Sequence, residues 1–109
     1  MTSEDQLGLF IIVMNLAVLG QFLDIWTTAV ALAHGLQEGN PIAAKIMAKI
    51  GTLGFGLIKV LALPAVCVLL AITQGWTLGI IVASIVAGTG FLAGIPNYRL
   101  LKSKGIRLL

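Results

Sequence analysis

The sequence predicts an all-α integral membrane protein with three transmembrane helices and a short amphipathic helix after the first span. Three observations carry that prediction. Hydrophobic residues make up 59% of the chain and charged residues 10%, with a mean hydropathy of +1.07. Soluble domains carry about 25% charged residues, so this chain has too little polar surface to coat a water-soluble globule. Its apolar residues fall in runs long enough to cross a bilayer, and the basic residues flank those runs, Lys59 excepted. A chain of 109 residues makes one domain, 1–109.

The first span is expected near 7–33, where Asp24 is the only acidic residue between Leu7 and Ala33. As a helix this run is roughly 40 Å long at 1.5 Å per residue, more than a hydrocarbon core of about 30 Å, so tilt or a protruding end is expected. His34, Gly35, Glu38, Gly39, Asn40 and Pro41 break the run. Asn40 suits an N-cap and Pro41 a first helical position, so a new helix is expected there. The segment from Ile42 to Ile50 places Lys45 and Lys49 on one face and Ile42, Ile46, Met47 and Ile50 towards the other. Too short to span, it either lies in the interface or leads directly into the second span.

From Val60 to Tyr98 there is no charge, which is most of two crossings at about 20 residues each. Thr73-Gln74-Gly75 is the turn-like cluster within it. The second span is therefore expected near 52–72 and the third near 76–95, with Trp76 and Tyr98 at opposite interfaces, where amphipathic rings are favoured. A basic tail, 99–109, follows.

Orientation follows from the cations. Lys45 and Lys49 sit in the first connection, and Arg99, Lys102, Lys104 and Arg107 in the tail, while the N-terminus and second connection have none. Three spans put both basic clusters on one side, which the positive-inside rule makes cytoplasmic. The expectation is a multi-pass protein of the cytoplasmic membrane with its N-terminus outside and C-terminus inside. The acidic N-terminus lacks the basic region of a secretory signal, so the first hydrophobic run is expected to stay in the mature protein. The net charge of +3 belongs to span flanks and is no nucleic-acid footprint. Cys67 has no second cysteine to pair with in the chain and reads as a small buried apolar residue.

Ionisable groups within a membrane are costly and mark a function or a buried pair. Asp24 and Lys59 fall at similar depths from the cytoplasmic boundary, roughly 10–14 Å on antiparallel neighbours, so they are expected to meet. Two readings stay open: a structural ion pair joining two helices, or a proton- or ion-responsive site. The face carrying Asp24 also holds Ala17, Gly20, Gln21, Thr27, Thr28, Ala31 and Gly35, small and polar residues that let helices approach. Asn15 lies nearly opposite and is expected to need another partner, such as a second subunit. On the third span Gly79, Ala83, Ala87, Gly90 and Gly94 form a helix-packing stripe with a G-x-x-x-G element.

Asp24, His34 and Glu38 are not expected to make a metal site, because Asp24 and His34 lie about 15 Å apart along an unbroken helix and could converge only through a sharp bend near Gly35 or across subunits. No catalytic or phosphate-loop pattern occurs, and neither a metal nor a cofactor is expected.

Asp24-Ile25-Trp26-Thr27-Thr28, then Gly35-Leu36-Gln37-Glu38-Gly39-Asn40-Pro41, resembles a D-x-x-T-T…G-x-x-E-x-N-P signature. It is that of a family of small bacterial and archaeal membrane proteins known only as a domain of unknown function. Lys59 matches the lysine of the following helix. The resemblance implies a small helical membrane domain with Asp24, Thr28, Glu38, Asn40 and Lys59 as a shared binding or gating site, and brings no activity with it.

The leading expectation is a homo-oligomer that conducts or transports an ion or small solute through the bilayer, with Asp24 and Lys59 lining or gating the path. The turn at Asn40-Pro41 and the Gly-rich Gly51-Thr52-Leu53-Gly54-Phe55-Gly56 resemble features of transporter sites. Two other roles fit the same architecture: a phage-type holin, and a structural or regulatory subunit paired with a larger membrane protein.

Overall fold

The computed structural model describes residues 2–36 and 41–107. It is helical: α1 (Ser3–Ala33), α2 (Pro41–Gln74) and α3 (Trp76–Ser103). Three stretches, Ser3–Ala33, Gly54–Gln74 and Trp76–Ser103, are long and apolar enough to cross a membrane. The chain runs up, down and up, so α1 and α3 are parallel and share the widest contact.

Both ends of α1 and the end of α3 have a local cause. α1 begins at Ser3, before the expected Leu7, because Thr2 caps it. The Thr2 side chain accepts from the Asp5 amide at 3.1 Å, and the Asp5 carboxylate accepts from the Thr2 amide at 3.2 Å. This reciprocal pair satisfies two donors that the first turn otherwise leaves open. α1 ends where Gly35 takes φ +84° and the Leu36 amide reaches back to the Ala31 carbonyl, a Schellman closure that needs a left-handed residue. Gly105 closes α3 in the same way, with the Ile106 amide on the Leu101 carbonyl.

The short helix expected over 42–50 is present as the first part of α2. At Gly51 the backbone leaves the helix, with φ 82° and ψ 161°, a region essentially restricted to glycine. Gly51 thus separates a 41–50 arm from the 52–74 span. The third span, expected to stop near 95, continues through Pro96 to Ser103. One proline removes one donor from the helix ladder, whereas the added turns bury Leu101 completely.

The interior is narrow and built from small residues. Ala17 on α1, Cys67 and Ala71 on α2, and Ala83 and Ala87 on α3 form its core with Phe10. Phe10 packs its ring against Trp76 at 5.5 Å between centroids. Gly90 faces Gly20 so closely that a Cβ there would come within 2.6 Å of the Gln21 nitrogen, and one on Gly79 within 2.6 Å of the Ala71 Cβ. Many large apolar side chains point outwards instead, among them Leu61, Ile72 and Leu92, which are 68–77% exposed. Small residues within and large apolar ones outside suit a bundle solvated by lipid.

Candidate functional site

Two glycines position the site. On α2, a Cβ at Gly56 would meet Ile25 Cγ2 at 2.7 Å; on α3, a Cβ at Gly94 would stand 3.0 Å from the Asp24 nitrogen. Both neighbours therefore close on α1 where it carries Asp24. Lys59 follows Gly56 by three residues, one turn along the same face, and so reaches Asp24 from the antiparallel helix.

Lys59 Nζ donates to Asp24 Oδ2 at 2.7 Å, with side-chain exposures of 23% and 15%. Thr28, one turn beyond Asp24, donates its hydroxyl to Asp24 Oδ1 at 3.4 Å. Asn97 Nδ2 of α3 approaches Thr28 Oγ1 at 3.5 Å. The Lys59 ammonium also stands 5.7 Å from the centre of the Phe55 ring, within cation–π range. An isolated charge at the centre of a bilayer costs about 2.5–3.5 kcal/mol on the insertion scale, and this arrangement offsets that cost for both groups.

The pair does not seal the space around it. Asp24, Thr28, Thr52, Lys59 and Asn97 supply polar walls to a cavity of about 370 Å³ between all three helices, and Ile25, Met47, Phe55 and Pro96 supply apolar ones. That is the lower end of the size range of small-molecule sites. Asp24 and Lys59 are the charges among its described lining residues, so its walls carry both signs and no net charge. Pro96 has no amide hydrogen to give the Leu92 carbonyl. The cavity lies towards the end of the bundle that carries Lys45, Lys49, Arg99 and Lys102.

Of the residues expected at a site, the structure brings together Asp24, Thr28 and Lys59. Glu38 and Asn40 lie outside the described residues. The packing stripe Gly79, Ala83, Ala87, Gly90 and Gly94 is buried throughout, against α1 and α2 of the same chain. Gln21, 3% exposed, makes a second polar contact across α1 and α3, donating to the Val86 carbonyl at 2.8 Å and to Thr89 Oγ1 at 3.3 Å. Asn15, expected to need another partner such as a second subunit, is exposed on the outer face of α1. Its amide donates to the Ile11 carbonyl of its own helix at 2.8 Å, which satisfies a donor without any partner helix.

Asn97 and Thr52 join the site without standing out in the sequence. Asn97 continues the small-residue stripe by a three-residue step from Gly94, a signal hidden when Pro96 is read as the end of the helix. Thr52 stands seven residues before Lys59, two turns along one face.

Residues 14–95 match the family model described as a domain of unknown function, DUF5658. The matched stretch includes Asp24, Thr28, Thr52 and Lys59 and ends just before Pro96. No curated protein and no solved structure matches the chain.

Proposed function

We propose that this chain, which belongs to the DUF5658 family, binds an ion or small solute beside the Asp24–Lys59 pair and passes it across the bilayer as a homo-oligomer. The observation that carries this reading is the openness of the pair. A pair serving only to join two helices gains most when packing excludes everything else from it. Here both side chains keep part of their surface and wall a cavity with three further polar side chains. The non-helical residue Gly51 at the edge of that cavity supports the same reading, because broken helices in membranes are tolerated where they line a polar space.

The proposed placement puts the N-terminus outside and the basic tail in the cytoplasm. The cavity then opens towards the cytoplasmic side, and the 41–50 arm lies in the headgroup region. Ile42 is 70% exposed and Ile46 38%, an apolar surface that suits the acyl boundary while Lys45 and Lys49 reach the headgroups.

The test is flux in proteoliposomes across a panel of ions and small solutes. Wild type should pass at least one of them, and Asp24→Asn should reduce that flux severely. Folded, assembled wild-type protein that passes none of the panel would overturn the reading and favour a holin or a subunit of a larger membrane complex.

A further inference from the structure

We propose that the cavity takes a small zwitterion of the α-amino-acid type, with the ligand ammonium at Asp24 and the ligand carboxylate at Lys59. This rests on the reading of the cavity as a ligand site and names the ligand's chemistry.

The first argument is charge balance. The described walls hold one carboxylate and one ammonium, already joined at 2.7 Å. A simple anion at Lys59 is repelled by Asp24, and a simple cation at Asp24 is repelled by Lys59. Either gives the site a net charge in a membrane, where uncompensated charge is expensive. A neutral solute draws nothing from the charges. A zwitterion laid antiparallel to the pair makes a closed square of alternating charges and requires neither protein group to let go.

The second argument is unused hydrogen-bonding capacity. An ammonium has three donors and each carboxylate oxygen two lone pairs. Lys59 gives one donor to Asp24 Oδ2, and Asp24 Oδ1 accepts the 3.4 Å contact from Thr28. Both groups retain sites on their cavity side. Asn97 and Thr52, which share the cavity, add neutral donors and acceptors.

Geometry then selects among zwitterions. Because the protein's charged atoms are 2.7 Å apart, the matching ligand carries its own two charges equally close, on a single carbon. A long ω-amino acid holds its charges too far apart to face the pair. Ile25, Met47, Phe55 and Pro96 leave the remaining wall apolar, which accommodates hydrogen or a small aliphatic side chain.

Titration calorimetry on the full chain, purified in detergent, separates this from transport. The probes are glycine, L-alanine, 4-aminobutyrate, acetate and methylammonium. Glycine and L-alanine should bind saturably and at least tenfold tighter than acetate or methylammonium, and 4-aminobutyrate should bind at least tenfold weaker than glycine. Asp24→Asn and Lys59→Met should each lose glycine binding. Ala93 also lines the cavity, from α3; Ala93→Phe, which narrows the space while keeping both charges, should lose it too and keeps the test decisive if the charge variants fail to fold. Acetate or methylammonium binding as well as glycine, or no binding of either α-amino acid to wild type, would overturn the proposal. Absence of glycine binding alongside Asp24-dependent flux of another solute sinks the ligand class alone. Glycine binding without any flux sinks transport alone.

Discussion

Lys59 Nζ lies 2.7 Å from Asp24 Oδ2, at the level where Gly56 and Gly94 draw α2 and α3 against α1. Each charge is therefore the other's partner across the first helix contact, and the backbone geometry that joins them also shapes the cavity.

That contact predicts energetic coupling. Asp24→Asn and Lys59→Met each leave an unpaired ion, whereas the double change leaves none. In a double-mutant cycle read by unfolding in detergent, the coupling should be about 0.5–3 kcal/mol, the range of residues in one ion-pair network. A coupling near zero would show that the two charges are stabilised independently.

The packing stripe predicts a contrast between two glycines of α3. Gly90→Ala forces a methyl into the backbone of Gly20 and Gln21, which cannot yield as a side chain can, and should destabilise by about 1–3 kcal/mol. A methyl on Gly88 would have nothing within 4 Å; Gly88→Ala should be neutral or stabilise by up to about 1 kcal/mol through helix propensity. Equal effects at the two positions would contradict the close approach of α1 and α3.

Much of this is legible in the sequence because charge is so rare in it. Asp24 and Lys59 interrupt apolar runs, and counting residues inward from the basic flanks puts them at one depth. Small residues at three- and four-residue spacing likewise identify the faces of α1 and α3 that meet. What stays hidden depends on local backbone choices. The third span is expected to stop near 95, yet α3 runs on through Pro96, buries Leu101 and brings Asn97 into the site. The acidic N-terminus is read only for its lack of a basic signal region, yet Thr2 and Asp5 cap α1. Gly51 reads as one glycine among several, and only its φ of 82° distinguishes it from Gly54.

Gly51 accordingly predicts a position-specific effect. Gly51→Ala places a side chain in a glycine-only conformation and should cost about 1–3 kcal/mol. It should also disturb the cavity, because Met47 and Thr52 line it from either side of the break. Gly54→Ala meets only ordinary contacts, the nearest at 3.5 Å to Ile50 Cβ, and should be mild. Thermal unfolding of the two variants in detergent checks the ranking.

Topology is tested by labelling single cysteines in a Cys67→Ala background, Cys67 itself being 1% exposed. With an impermeant reagent on intact cells, cysteines at positions 3 and 74 should react and one at 103 should be protected. Protection at 3 with reaction at 103 would reverse the orientation. Opposite results at 3 and 74 would change the span count.

The most direct measurement is solute flux in proteoliposomes for the charge-exchanged protein. Asp24→Lys and Lys59→Asp alone each place two like charges at the cavity wall and should abolish flux. Combined, they restore one charge of each sign at the same site and should recover a measurable part of it, with all three variants verified as folded. Full flux in either single variant would contradict the claim that the Asp24–Lys59 cavity is where the solute binds.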